Sequence, residues 1–312
     1  MRRIHVVLGA SGGAGNAIVR ELHRAGIPVR AVNRSGRADV PDGVERIPAD
    51  LTVGGQARRS VEGAEVVYMA AQPAYHRWPQ EFPPLLAEVV AATAEVGAKL
   101  VMVDNLYAYG PGSGTISEQT PEQATDRKGR VRREMAEMLR EAHRSGRLRV
   151  AIGRASDYYG PRADNSGLTA LAIAPAARGR TARWIAALDV PRSIAYLPDV
   201  ARAYVRLGTS EAADGHTWIL PHGEPVTGRR FLAAVAAAAG DGVDVRVLSE
   251  GALRVAAPFH RPSREILGVL YQWSAPFVVD DRRFRATFGD IDVTPLEDAV
   301  ARAVAAYRSR SR

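Results

Sequence analysis

The sequence predicts an α/β protein built on a doubly wound parallel sheet, with a smaller lobe in the C-terminal part of the chain. Short apolar runs alternate with segments of helical periodicity through the first half, which is typical of a parallel sheet with helices on both faces. The chain has 312 residues, of which 46% are hydrophobic, so it is long enough to bury a large core. Its first apolar run leads into a glycine-rich turn and then a helix, as the first unit of such a sheet does.

Six apolar runs in the first half are interpreted as strands of this sheet, at residues 4–8, 29–32, 44–47, 66–69, 100–103 and 148–152. The spacing of apolar residues predicts long helices at 82–96 and 127–143. Ligands of doubly wound sheets bind beyond the carboxyl ends of the strands. The loops that follow the strands are therefore the expected places for function.

The second half of the chain is less regular. Residues 193–197, followed by the segment PDVA, indicate one more strand and helix of the main sheet. Residues 258–277 hold aromatic residues and prolines, among them His260 and Trp273, as a lid over a pocket does. We assign two parts of the chain to the sheet domain, 1–155 and 193–212, and two to a substrate-binding lobe, 156–192 and 213–312.

The glycine turn after the first strand is the strongest functional signal. Gly9, Gly12 and Gly15 follow the spacing G-x-x-G-x-x-G, end a buried strand and open a helix. Glycines let the backbone approach a diphosphate closely, and the helix N-terminus adds unpaired N–H groups and a partial positive charge. The turn, which includes Ser11 and Gly13, is therefore predicted to bind the diphosphate of a dinucleotide.

The end of the second strand predicts which dinucleotide binds. A carboxylate there would accept hydrogen bonds from ribose hydroxyls and repel a 2′-phosphate, but this chain has Asn33, Arg34 and Ser35. Because a guanidinium forks onto a phosphate, we expect NADP(H) to be preferred over NAD(H). A solvent-exposed arginine without a ligand is the alternative. The later loops complete the predicted cofactor site with Asp50, Leu51, Ala70, Ala71 and Gln72.

Composition excludes several classes of function. The chain has no cysteine, which rules out disulfides and thiolate metal sites, and its seven histidines show no metal-ligand spacing. The net charge is +8, but the arginines are scattered, so nucleic acid is not an expected partner. No apolar run approaches the ~20 residues that span a bilayer. We expect a cytoplasmic protein that acts on a small molecule and binds neither metal nor membrane.

Four segments, in the right order along the chain, resemble one known family. They are GASGGAG after the first strand, LYAYG at 106–110, GRASDYYGP at 153–161 and YLPDVARA at 196–203. Together they span most of the chain and resemble the NAD-dependent epimerase/dehydratase family, also called extended short-chain dehydrogenases/reductases. The resemblance implies a Rossmann domain, a smaller C-terminal substrate domain, NAD(P) bound at the three glycines and, by the family's habit, a homodimer.

The family's catalytic residues do not carry over. The resemblance implies a Ser or Thr at the position of Asn105, and a Tyr followed four residues later by a Lys near the start of the helix at 127. No such pair exists there. One register puts Asp126 at the Tyr position and Arg130 at the Lys position, where it would hold the cofactor ribose; another uses Lys128, and the sequence leaves this choice open. Asp126 is a poor acid at neutral pH unless burial raises its pKa.

A substitute proton donor is predicted in the neighbouring loops. Tyr107 is the first candidate, because in an extended segment its side chain points to the same side as that of Asn105. The amide N–H of Asn105 would then polarise a carbonyl, whereas packing beside Tyr109 is the alternative role of Tyr107. The predicted substrate-binding residues are Tyr75, His76, Tyr158 and Trp184.

These observations predict an NADP(H)-dependent oxidoreductase that acts on a small carbonyl or alcohol compound with a non-standard active site. Two alternatives stay open. In one, the bound cofactor serves without net redox, as in an epimerase, dehydratase, isomerase or cyclase. In the other, the protein is a non-catalytic sensor that binds NADP(H).

Overall fold

The structure, a computed structural model, describes residues 4–240, 243–259 and 267–310. Seven strands form the main sheet: β1 (Ile4–Leu8), β2 (Val29–Asn33), β3 (Glu45–Pro48), β4 (Ala64–Met69), β5 (Lys99–Asp104), β7 (Arg149–Arg154) and β11 (Thr217–Ile219). All neighbouring strands are parallel, in the order β3-β2-β1-β4-β5-β7-β11. The predicted fold class is confirmed.

The central strands are buried on both faces, which explains why they are continuous apolar runs. In β1, for example, Val6, Val7 and Leu8 are fully inaccessible to solvent. The chain leaves β1 toward β2 on one side and later returns through β4 on the other side. The carboxyl ends of β1 and β4 therefore border the crevice in which ligands of doubly wound sheets bind.

Helices cover both faces of the sheet: α1 (Gly13–Arg24), α2 (Gln56–Ser60), α3 (Trp78–Glu95), α4 (Arg127–Arg144) and α6 (Leu197–Thr209). Helix α1 packs against α6 on one face, and α3 packs against α4 on the other. Each pair closes its own apolar core against the sheet. None of the helices within the described ranges is long and apolar enough to cross a membrane.

The remaining elements build a second lobe and its connections. Short strands form parallel two-stranded sheets: β6 (Thr115–Ile116) with β13 (Val278–Val279), β8 (Tyr158–Tyr159) with β10 (Ala195–Tyr196), and β9 (Ala182–Ile185) with β12 (Val245–Leu248). The further helices are α5 (Ala174–Ala176), α7 (Gly228–Ala239), α8 (Glu250–Ala256), α9 (Tyr271–Ser274), α10 (Arg282–Phe288) and α11 (Leu296–Ser309). A third core, which includes Trp184, Phe231 and Trp273, holds this lobe together.

Two strands lie elsewhere than the sequence indicates. The strand at 193–197 was expected in the main sheet, but β10 pairs with β8 outside it. Conversely, β11 lies at the edge of the main sheet beside β7, although its residues fall within the part assigned to the second lobe. A strand of two or three residues carries too little pattern to reveal its partner. Of the predicted lid, residues 260–266, including His260, lie outside the described residues.

Candidate functional site

The glycine turn closes tightly around the start of α1. Gly9 has a φ of +88°, and a Cβ there would lie 2.5 Å from the backbone nitrogen of Ala71, because the loops after β1 and β4 touch at this point. A Cβ on Gly15 would overlap the carbonyl oxygen of Gly9. Neither position accepts a side chain, so the backbone itself forms the surface of the crevice.

The N-terminus of α1 is open. Gly12 is the N-cap, no described side chain caps the helix, and its first turn carries no acidic residue. The first N–H groups and the positive end of the helix dipole are therefore available to an anion. Ser11 is exposed beside them. This arrangement fits the diphosphate of a dinucleotide.

The end of β2 presents both an unused acceptor and an exposed cation. The Asn33 side chain donates to Ser35 Oγ (3.2 Å), while its Oδ1 is buried with no hydrogen-bond partner among the described residues. Arg34 is exposed. Asp50 accepts from Thr52 Oγ1 (2.6 Å) and from the Thr52 nitrogen (3.0 Å); these bonds, with the nearby Arg34, hold the pKa of that carboxyl below its usual value. Asn33 suits a ribose hydroxyl, and Arg34 suits a phosphate.

The segment after β5 is a turn and not the extended segment predicted. Asn105 Oδ1 accepts a hydrogen bond from the backbone nitrogen of Tyr107 at 3.1 Å, and this bond closes the turn. The amide oxygen of Asn105 is thereby used, while its NH₂ group donates to no described residue. Tyr109 is buried beneath the Arg154 guanidinium, whereas Tyr107 stays half-buried and faces other aromatic residues.

Tyr75 and Tyr107 form a pair at this turn. The Tyr75 hydroxyl donates to the Tyr107 hydroxyl at 3.2 Å, and the Tyr75 ring meets Trp78 edge to face. Burial, followed by the effects of Tyr75 and Asp157, raises the pKa of Tyr107 well above its ordinary value of 10. Tyr107 is therefore protonated throughout the neutral range, with its own hydrogen available to a further acceptor.

The start of α4 places the two candidate cations, Lys128 and Arg130, on opposite sides of the helix. Asp126 is the N-cap, and its Oδ1 accepts from the backbone nitrogens of Lys128 and Gly129, each at 3.0 Å. Asp126 thus serves the helix end, and Arg130 lies on the exposed side of the helix. Lys128 lies on the buried side, 9% exposed, with Nζ 3.3 Å from the centroid of the Tyr75 ring.

Arg132 is a residue of this site that the sequence analysis missed. It is 4% exposed, stacks 4.2 Å from the Trp78 ring and forms an ion pair with Asp104. Its Nε donates no hydrogen bond to a described residue. Lys128 and Arg132 are four residues apart, which is the spacing of the family's Tyr and Lys. That spacing was the signal available in the sequence.

The second lobe contributes a buried ion pair of its own, between Arg192 and Asp157. Arg192, 1% exposed, donates to Asp157 Oδ2 at 2.5 Å and stacks 3.9 Å from the Trp273 ring. Asp157 is the partner of this guanidinium, and its charge is one of the smaller causes of the raised pKa of Tyr107. Arg192 and Asp157 are brought together from distant parts of the chain, and no local pattern marks them.

The remaining predicted substrate residues have other surroundings. His76 is half-buried beside Tyr75. Tyr158 pairs with the Tyr204 hydroxyl at 3.0 Å, and burial raises its pKa to about 12. Trp184 is buried in the core of the second lobe and donates to the carbonyl oxygen of Ala187. Their role toward a substrate stays a prediction. Among the residues that the structure describes, no group of three His, Asp or Glu side chains is placed to hold a metal ion.

Comparisons with known proteins agree with this fold. The sequence pattern described as "NAD dependent epimerase/dehydratase family" matches residues 5–220. No curated protein matches the chain. Among solved structures, UDP-glucuronic acid 4-epimerase from Bacillus cereus in complex with NAD has a TM-score of 0.80 at 14% identity, covering 99% of this chain and 100% of that one.

Two further structures are similar over almost their whole length. UDP-glucose 4-epimerase from Thermus thermophilus, a complex with NAD, has a TM-score of 0.76 at 21% identity, covering 98% of this chain and 99% of that one. A short-chain dehydrogenase/reductase superfamily protein from Agrobacterium tumefaciens with bound NAD has a TM-score of 0.76 at 17% identity. The match covers 99% of this chain and 98% of that one. At these identities the likeness concerns the fold.

Proposed function

The chain belongs to the NAD dependent epimerase/dehydratase family, and from that premise we propose that it is an NADP(H)-dependent oxidoreductase that reduces a small carbonyl compound. The observation that carries the proposal is the hydrogen-bonded pair of Tyr75 and Tyr107 beside Asn105, at the carboxyl end of β5. It supports a protonated phenol as the proton donor and the amide of Asn105, whose NH₂ group donates to no described residue, as a second donor, in a chain that lacks the family's Tyr and Lys pair.

The residues present fit a nicotinamide dinucleotide. Gly9 and Gly15 leave space that a Cβ would fill, and the open end of α1 suits the diphosphate. Asn33 Oδ1 accepts no hydrogen bond from a described residue and suits a ribose hydroxyl, and the buried Nε of Arg132 donates none to a described residue. When bound, the cofactor supplies hydride to the substrate carbon.

This chain's residues supply the proton and hold the substrate oxygen. The NH₂ group of Asn105 would donate to that oxygen, and Tyr107 would transfer its hydroxyl proton to it as the oxygen gains negative charge. Tyr75, which donates to the Tyr107 hydroxyl, would then return a proton to it. Burial keeps Tyr107 in its protonated form, in which the phenol has a proton to give to a carbonyl oxygen.

The cofactor preference is tested by binding. NADP(H) is proposed over NAD(H) because Arg34 is exposed at the end of β2, where no carboxylate follows the strand. We expect NADP⁺ to bind at least tenfold more tightly than NAD⁺ in calorimetry, and Arg34→Ala to abolish that difference. Arg37→Ala, which removes an equally exposed cation three residues on, is the matched control and should retain it. Tighter binding of NAD⁺ by the unmodified protein would refute the preference.

The reaction is tested with a panel of small ketones and aldehydes, following the loss of nicotinamide absorbance. General acid catalysis typically contributes ~10²–10⁴-fold, so Tyr107→Phe should lose at least 100-fold in kcat while NADPH binding stays unchanged. Product formation without a change in nicotinamide absorbance would point to an epimerase-type reaction without net redox. Retained binding with no turnover, and no response to Tyr107→Phe or Asn105→Ala, would point to a sensor.

A further inference from the structure

We propose that Lys128 is a positioning residue that supplies the positive charge of the proton-transfer site, acting on Tyr107 through Tyr75. The inference rests on the proposed function and gives Lys128 a role toward Tyr75 and Tyr107 in place of the ribose contact that the resemblance implies. Its basis is a chain of contacts: the Lys128 ammonium lies 3.3 Å from the Tyr75 ring centroid, and the Tyr75 hydroxyl lies 3.2 Å from that of Tyr107.

The start of α4 is fixed against the turn that carries Tyr107. Asp126 caps the helix through the backbone nitrogens of Lys128 and Gly129. A Cβ on Gly129 would lie 2.6 Å from the carbonyl oxygen of Tyr107, so the first helical turn directly contacts the backbone of that residue. The direction in which Lys128 leaves the helix is therefore set relative to Tyr107.

Lys128 is unlike the other cations of this turn. Arg127 and Arg130 are exposed, as expected for charged residues on a helix surface, whereas Lys128 is 9% exposed with its ammonium over an aromatic face. Burying an ammonium is costly, and a ring face offsets part of that cost through its quadrupole. A lysine needed for solubility alone would lie on the exposed side.

The charges that face Tyr107 explain what the ammonium does. Burial raises the pKa of Tyr107 most, Tyr75, Asp157 and Tyr271 add smaller effects, and Arg192 is paired with Asp157. A cation on the Tyr75 side favours the ionised form of the phenol pair. Lys128 thus counteracts the effect of burial on the pKa of the pair. It thereby eases the passage of the proton from Tyr75 to Tyr107 to the substrate oxygen.

The test uses the whole protein labelled with ¹³Cζ-tyrosine, with signals assigned by Tyr75→Phe and Tyr107→Phe. On raising the pH to the limit of stability, we expect the ionised fraction of the Tyr75–Tyr107 pair to be at least tenfold lower in Lys128→Met than in the unmodified protein. Lys128→Arg, which keeps the charge, should restore it to within about threefold. Arg130→Met removes a charge from the exposed side of the same helix and should change nothing.

A second arm shows whether the effect passes through Tyr75. In the Tyr75→Phe background, Lys128→Met should alter the ionisation of Tyr107 less than threefold. If Lys128→Met does not fold, Lys128→Gln replaces it in both arms. Identical titrations with and without the charge, including no ionisation in either, would overturn the inference. Absence of turnover by the unmodified protein would instead count against the proposed reaction, and the two failures are therefore distinguishable.

Discussion

Asp104 and Arg132 form a buried ion pair that ties the end of β5 to helix α4. The Arg132 Nη1 lies 3.0 Å from Asp104 Oδ1, and each side chain is 4% exposed. Arg154 donates to the other carboxylate oxygen at 2.9 Å, so one carboxylate neutralises parts of two buried guanidinium groups. The pair fixes the turn of Asn105 and Tyr107 relative to the helix that carries Lys128.

Asp104→Asn is expected to destabilise the protein strongly. Removing the carboxylate charge leaves the buried Arg132 without its ion-pair partner and Arg154 with Glu122 alone, and breaking a buried ion pair typically costs about 3–5 kcal/mol. Arg132→Met should lower the free energy of unfolding less, because Asp104 keeps its hydrogen bond from Arg154. Urea denaturation measures both. Asp189→Asn, in an exposed pair with Arg229, is the control and should leave the midpoint unchanged. Equal midpoints for Asp104→Asn and the unmodified protein would show that the pair is not needed.

Gly15→Ala is expected to weaken cofactor binding. The new Cβ would overlap the Gly9 carbonyl oxygen, so the start of α1 must move away from the glycine turn. We expect the Kd for NADP⁺ in calorimetry to rise at least tenfold. Gly251→Ala is the matched control, because its Cβ would enter open space on helix α8; there the change should stabilise the helix by about 0.5–1 kcal/mol and leave binding unaltered. Unchanged binding in Gly15→Ala would place the diphosphate elsewhere.

Most of the sheet was predictable because its signals are local. β1 lies at the predicted residues, and β2 extends one residue beyond the prediction, since buried parallel strands are apolar runs that glycine or polar residues interrupt. The helix beginning at Arg127 was predicted as well, and Asp126 caps it. The pairing of β10 with β8 was not, because it depends on contacts between distant short segments.

The candidate site was predictable in part. Asn105 contacts the backbone of Tyr107 in a turn, where an extended segment was predicted, and the joint action of the two side chains stays a prediction. Lys128 and Arg132 share the inner face of α4 with Val131 and Met135, so helical periodicity does mark their positions. Lys128 was one of the candidates, but reading charged residues as surface residues hid Arg132. Their burial depends on Tyr75, Trp78 and Asp104, which the sequence does not show to be neighbours.

His222→Gln is expected to make stability less dependent on pH. His222 is buried; its Nε2 accepts from the backbone nitrogen of Ser156 at 3.0 Å, which leaves Nδ1–H to donate to the carbonyl oxygen of Leu220 at 2.6 Å. Burial lowers its pKa from 6.5 to about 4. Between these values the unfolded chain binds a proton that the folded protein does not. The free energy of unfolding therefore falls as the pH falls through 6.5 toward 4, by on the order of 3 kcal/mol for this group.

Glutamine keeps one donor and one acceptor but does not titrate, so the variant should lose this part of the pH dependence in urea denaturation series between about pH 7 and pH 5. His5, whose pKa burial also lowers to about 4, contributes a second such step that both proteins share. His23→Gln, at an exposed position of α1, is the control and should follow the unmodified protein. If the curves for His222→Gln and the unmodified protein run parallel, His222 accepts its proton in the folded state as readily as in the unfolded one.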